Sequence, residues 1–281
     1  MSKYNDTIYA LSTPTGKSAI ALIRISGKNS LKTLKKISSL KKITPNKTKL
    51  TYLKFKKTLL DQVIITYFKE PKSFTGEEML EIHCHGSTAI ISKISQILEV
   101  LGLRLAEPGE FTRRSLMNNK LDILQTEGLS DLINAETEKQ RSLAMLSLSG
   151  KLSGFVKKIN HELSLVLANT EALIDFSDDD LPKNISTKIT EQNKNIIKKI
   201  EIEIKNSEIS KPIRDGFFVP IIGKPNTGKS SFINYISKKE VSIVTNIPGT
   251  TTDAVSSVLD INGYKFTFID TAGLRRYKNK I

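Results

Sequence analysis

The rhythm of apolar and polar positions changes twice along the chain. Residues 20–25 (Ile-Ala-Leu-Ile-Arg-Ile) and 62–68 read as strands, and residues 79–84 alternate as a half-buried strand does. Ile90, Ile91, Ile94, Ile97, Leu98 and Leu101 form a helical stripe over 87–101 that stops at Gly102. These interleaved elements predict a mixed domain over 1–118. From 119 to 215 the pattern is that of long helices. Leu121, Leu124, Leu129, Leu132 and Ile133 begin one, and residues 143–173 continue it with apolar positions every three or four residues. An acidic turn follows (Asp175, Asp178, Asp179, Asp180), closed by Pro182, which stops a helix. A second helix over 186–207 carries Ile189, Ile196, Ile197, Ile200 and Ile204, with lysines on the other face read as solvated. Residues 216–281 return to short elements, with strands near 217–222, 254–261 and 265–269.

This last segment holds the clearest chemistry. Gly223-Lys224-Pro225-Asn226-Thr227-Gly228-Lys229-Ser230 fits G-x-x-x-x-G-K-[ST], the loop whose backbone N–H groups wrap phosphates while Lys meets the β and γ phosphates and Ser ligates Mg²⁺. The apolar run before it and the helical spacing of 230–237 after it supply the strand–loop–helix order, placing a helix N-terminus against the anion. Downstream, Pro248-Gly249-Thr250-Thr251-Thr252-Asp253 offers hydroxyls to Mg²⁺ and the γ-phosphate, and Asp270-Thr271-Ala272-Gly273 ends a strand in a carboxylate suited to a Mg²⁺-bound water. The expected fold class is therefore α/β multidomain: an α+β N-terminal domain, a long-helix domain and a partial P-loop domain, divided as 1–118, 119–215 and 216–281.

Composition adds limits. With 38% hydrophobic and 26% charged residues the 281-residue chain reads as globular and soluble. It has neither a signal-type apolar core at its start nor a membrane-length apolar run, so a cytoplasmic protein with no membrane partner is expected. The single cysteine, Cys84, excludes an internal disulfide and reads as a buried small residue. His83 and His85 share one strand face, which gives two metal ligands and not the three or four a site needs. The net charge of +14 invites contact with RNA, but the lysine pairs (Lys35-Lys36, Lys41-Lys42, Lys56-Lys57, Lys198-Lys199) read as scattered.

The three nucleotide elements resemble the translation-factor-related GTPases that act on tRNA or ribosomes. The first domain narrows the resemblance. Asp6-Thr7-Ile8, Thr13-Pro14-Thr15-Gly16, Ile23-Arg24-Ile25-Ser26-Gly27, Phe74-Thr75-Gly76-Glu77-Glu78, Glu81-Ile82-His83-Cys84-His85-Gly86, Ala106-Glu107-Pro108-Gly109-Glu110-Phe111-Thr112 and Asn119-Lys120-Leu121-Asp122 are similar to the tRNA uridine-5-carboxymethylaminomethyl modification GTPases, the MnmE or TrmE family, in order along the whole chain.

The resemblance implies a folate-binding N-terminal domain that also forms a homodimer, a helical domain, and a GTPase domain inserted in it. It assigns Arg24, Glu81 and Lys120 to 5-formyltetrahydrofolate or methylene-tetrahydrofolate. It assigns GTP or GDP to Asn226, Thr227, Gly228, Lys229, Ser230, Ser231, Thr245, Asn246, Ile247, Pro248, Gly249, Thr250, Thr251, Asp270, Thr271, Ala272 and Gly273. Mg²⁺ would sit on Ser230 and Thr251, and K⁺, replacing an arginine finger, on Asn226, Thr245, Ile247 and Thr250. The implied reaction adds a carboxymethylaminomethyl-type group at C5 of the tRNA wobble uridine, in a heterotetramer with the flavin-dependent MnmG (GidA) protein. The chain departs from the family at Asn246 and Pro248, where Asp and Ala are common. The family's catalytic Glu and its guanine-reading Asn-Lys-x-Asp are expected beyond Ile281, which reads as a C-terminally truncated member. Two other readings are a folate-binding dimerisation module without GTPase activity and a ribosome-assembly GTPase.

Overall fold

The alternation read at residues 79–84 belongs to the centre of a six-stranded sheet. The computed structural model describes residues 6–40, 42–176, 184–223, 227–239 and 256–270, and the chain divides into two units, Met1–Ile123 and Leu124–Ile281. The first unit runs β1 (Ile8–Leu11), β2 (Ser18–Ser26), α1 (Ser30–Ile37), β3 (Thr48–Phe55), β4 (Thr58–Phe68), β5 (Met79–Gly86), α2 (Thr88–Val100), β6 (Arg104–Leu105) and α3 (Glu110–Met117). Its sheet order is β3-β4-β5-β2-β1-β6, antiparallel except for β1 with β6.

Period two decides the two faces. Ile23, Ile25, Ile65, Leu80, Ile82 and Cys84 turn to one face and are covered by Leu34 and Ile37 of α1 and Ile94, Ile97 and Leu98 of α2. Each such side chain contributes about 1.5–3 kcal/mol on burial. Cys84 is buried as expected, and burial pushes its thiol up to about 11. The opposite face is exposed at its Leu50–Ile64 end, while Ser26, Thr66 and Met79 on it are buried. Its rows read Leu50–Ile64–His83–Leu22 and Thr66–Glu81–Arg24, with Leu50 65% and Ile64 45% exposed.

The second unit contains α4 (Ile123–Asn134), α5 (Glu138–Leu148), α6 (Lys151–Asp175), α7 (Ile185–Asp215), β7 (Phe217–Ile221), α8 (Lys229–Lys239), β8 (Ser256–Ile261) and β9 (Tyr264–Asp270). The continuous helical stretch expected through residues 143–173 is in fact interrupted. Gly150 takes the left-handed conformation at φ +81 and separates α5 from α6, a break that apolar spacing alone does not reveal. α5 opens with a capping box in which Thr137 accepts from the Gln140 N–H and the Gln140 side chain accepts from the Thr137 N–H. α7 continues past residue 207 to Asp215, with Pro212 in its last turn. Ile159 and Val166 of α6 meet Ile196 of α7, and Lys199 pairs with Glu162 at 2.7 Å. Asp178, Asp179, Asp180 and Pro182 lie outside the described residues. The second sheet has the order β7-β9-β8, parallel between β7 and β9 and antiparallel between β8 and β9.

Candidate functional site

The segment expected to hold phosphate lies between a strand and a helix, and its residues 224–226 are outside the described residues. β7 ends at Ile221, and α8 begins at Lys229 with Gly228 at φ +85, a conformation that suits glycine. Lys229 Nζ donates to the Gly223 carbonyl at 2.9 Å. The Phe232 N–H donates to the Gly228 carbonyl, which starts the helix there. In the parallel register Asp270 stands opposite Ile221, two residues before Gly223. The strand end expected to carry a carboxylate is therefore next to the strand that feeds the loop.

Of the nucleotide residues inferred from sequence, Thr227, Gly228, Lys229 and Ser231 are described with their surroundings, and Ser230 and Asp270 by backbone alone. Asn226, Thr245, Asn246, Ile247, Pro248, Gly249, Thr250, Thr251, Thr271, Ala272 and Gly273 lie outside the described residues, and with them all four K⁺ positions.

A second cluster forms on the face of the first sheet opposite α1 and α2. Arg24 and Glu81 are register partners on β2 and β5, and Arg24 Nε donates to Glu81 Oε1 at 2.8 Å. The Arg24 guanidinium also lies 5.8 Å from the Phe74 ring centroid. Phe74 belongs to the loop between β4 and β5, which α3 holds: Ser115 Oγ donates to the Phe74 carbonyl at 2.8 Å and Asn118 Nδ2 to the Thr75 carbonyl at 2.7 Å. Lys120 packs on the same loop, because a Cβ at Gly76 (φ +76) would come within 3.1 Å of Lys120 Cγ. Arg24 and Glu81 thus touch, and Lys120 joins them through the 73–77 loop. Phe74 is the member that sequence reasoning left without a role, although it stood in a motif already noted.

Beneath that loop lies a buried ionic network. Arg114, fully buried on α3, reaches Glu77 Oε2 at 3.1 Å, Glu110 Oε1 at 2.9 Å and Asp6 Oδ1 at 2.8 Å. Ser26 Oγ donates to Glu77 Oε2 at 2.8 Å and Arg104 Nη2 to Glu110 Oε1 at 2.7 Å. Burial raises the Glu110 carboxyl, but donors from Arg104, the Glu107 N–H and Arg114 outweigh it and hold the group at about 2. The network fixes the loop that carries Phe74, Gly76 and Glu77.

A carboxylate and a guanidinium side by side can pair with a heterocycle's amino and N–H groups and with an acid tail, and a Gly-rich strand–helix turn can hold phosphates. Residues 7–120 match the family described as GTP-binding protein TrmE N-terminus, and residues 123–272 match the MnmE helical domain. A protein of Neorickettsia sennetsu named tRNA modification GTPase MnmE is 42% identical over 270 residues, covering 96% of this chain and 49% of that protein. Proteins of the same name from Rickettsia rickettsii (strain Sheila Smith) and Pelagibacter ubique are each 40% identical, covering 98% of this chain and 63% of theirs. The chain thus spans between half and two thirds of the length of these relatives. Both matched segments lie in the order that the two units follow, and on this ground the chain belongs to the MnmE (TrmE) family of tRNA modification GTPases.

Proposed function

We propose that this chain binds GTP and GDP at the β7–loop–α8 turn and serves the modification of the tRNA wobble uridine at C5, in the cytoplasm and together with a flavin-dependent MnmG-type partner. The observation that carries the reading is Lys229 Nζ on the Gly223 carbonyl at 2.9 Å, with Asp270 in register beside the same strand. Lys229 would transfer its hydrogen bond from the carbonyl to the phosphates, and the first-turn N–H groups of α8 would add theirs. Mg²⁺ on Ser230 and Thr251, and K⁺ on Asn226, Thr245, Ile247 and Thr250, complete this proposal. The division into domains at 1–118, 119–215 and 216–281 belongs to it as well.

The face of the first sheet opposite α1 and α2 is proposed to take the folate one-carbon donor. Glu81 would accept from the pterin's amino and ring N–H groups, Arg24 and Lys120 would hold the glutamate tail, and Phe74 offers a ring beside them. Leu50, Tyr52 and Ile64, exposed on that face, would be covered in a homodimer.

The deciding experiment titrates the full chain with labelled GTP and GDP, with and without K⁺, and with 5-formyltetrahydrofolate in the same preparation. Binding of both ligands, with GTP strengthened by K⁺, is expected. Folate binding without any nucleotide binding would overturn the GTP reading. For the folate site, Glu81→Gln and Arg24→Ala should each weaken 5-formyltetrahydrofolate by roughly 10–100-fold, the worth of one charged hydrogen bond of about 1.5–3 kcal/mol. Calorimetry reads the loss, and unchanged affinity in both variants would remove these residues from the site.

A further inference from the structure

We propose that the edge of the first unit formed by α1 and β3 binds the phosphate backbone of RNA; this rests on the tRNA-modification reading and adds to it the surface that meets the tRNA. The positive charge is not scattered between the units. Residues 1–123 hold 21 Lys and Arg against 10 Asp and Glu, whereas residues 124–281 hold 22 against 19. The excess is narrower still: between Asp6 and Asp61 there are 13 Lys and Arg and no acidic residue at all. At the chain's overall acidic content, 29 in 281, a segment of that length would carry about five or six. A general bias toward lysine accounts for the lysines but not for the missing carboxylates.

The fold gathers this segment at one place. Leu34 and Ile37 of α1 enter the same core as Leu53 of β3, and Ser38, the cap of α1, bridges to Leu53. Because α1 turns Ser30, Thr33, Leu34 and Ile37 inward, Lys32, Lys35 and Lys36 stand exposed on its outer side. Lys47 and Lys49 continue the exposed charge through the following loop and onto β3, the end strand of the sheet, with Lys49 on the same sheet face as Leu53 and α1. The acid that ends the run does not offset the row: Asp61, opposite Leu53 in the register, binds His85 Nδ1 at 2.7 Å. Rows of mobile cations without interspersed anions suit a polymer of regularly spaced phosphates, where each neutralised phosphate releases counterions.

The test uses the full chain and an unmodified tRNA transcript. One variant carries Lys32→Gln, Lys35→Gln, Lys36→Gln, Lys47→Gln and Lys49→Gln. A control of equal charge carries Lys157→Gln, Lys158→Gln, Lys188→Gln, Lys194→Gln and Lys205→Gln. Binding is followed by fluorescence anisotropy across a salt series, and circular dichroism confirms that the variants remain folded. The edge variant should bind at least tenfold more weakly than wild type at about 0.1 M salt, with a shallower salt dependence of about 0.7–0.9 per lost phosphate contact. The control should stay within about twofold of wild type. An edge variant that binds like wild type, or one that loses no more than the control, overturns the assignment while leaving the tRNA reading intact. Wild type that binds no tRNA even at about 50 mM salt overturns both. If poly-glutamate displaces the tRNA as readily per charge as unlabelled RNA does, the surface serves acidic proteins and the RNA assignment falls.

Discussion

Arg114→Met is expected to destabilise the first unit by about 3–5 kcal/mol, because it takes the guanidinium away from the buried Glu77 carboxylate and leaves Glu110 with Arg104 alone of its two guanidinium partners. The side chain is fully buried and is held by three acids on three separate parts of the chain, so no solvent can take its place. A loss of that size lowers the thermal midpoint by roughly 10–25 °C. Circular dichroism melts of the full chain decide it: a fall of less than about 1 kcal/mol would mean that the network adds nothing beyond packing.

The same network sets a pH dependence. Glu110 sits at about 2 in the folded chain against an ordinary 4.5, so the folded state favours its ionised form. That contribution is fully present above pH 4.5 and is lost as the pH falls toward 2, on the order of 3 kcal/mol in all. Urea unfolding at several pH values should show stability declining over that interval, and Glu110→Gln should flatten the decline. A slope unchanged in the variant would assign the acid sensitivity to other carboxylates.

The second large effect is expected at Lys229. Lys229→Ala should weaken GTP and GDP by at least about a hundredfold, since the ammonium supplies charge-assisted hydrogen bonds of about 1.5–3 kcal/mol each. Its ammonium donates to the Gly223 carbonyl at 2.9 Å. The side chain is not buried, so its removal is expected to reduce affinity far more than stability. Equilibrium binding with a fluorescent guanine nucleotide checks the affinity, and a thermal melt checks the fold. Near-wild-type affinity in a folded variant would mean that the loop does not hold phosphate.

The elements legible from sequence are those whose physics is local. The phosphate loop is eight consecutive residues, and its strand and helix are set by short apolar runs on either side. The stripe from Ile90 to Leu101 likewise emerged as α2, Thr88–Val100, because helical periodicity needs no distant partner. Where a local signal was weak the reading failed. Gly150 in an otherwise periodic stretch divides α5 from α6, and β1, β3 and α1 carried too little pattern to be singled out.

What the tertiary structure decided is everything that depends on register and long-range pairing. Arg24 and Glu81 are 57 positions apart and meet only because β2 and β5 pair antiparallel in one register; a slip of one residue would send Glu81 to the buried face. Phe74 became part of the cluster through α3, whose Ser115 and Asn118 hold its loop. The acid-free stretch from Thr7 to Leu60 is plain in the sequence, yet its charge becomes one surface only because Leu53 and Ile37 share a core and draw β3 beside α1. By itself the sequence determined the family, the strand-then-helix order around residues 217–239 and the sign of the charge, since these reside in residue identity and short-range order. Which residues meet was decided by the hydrophobic faces that had to be buried against one another.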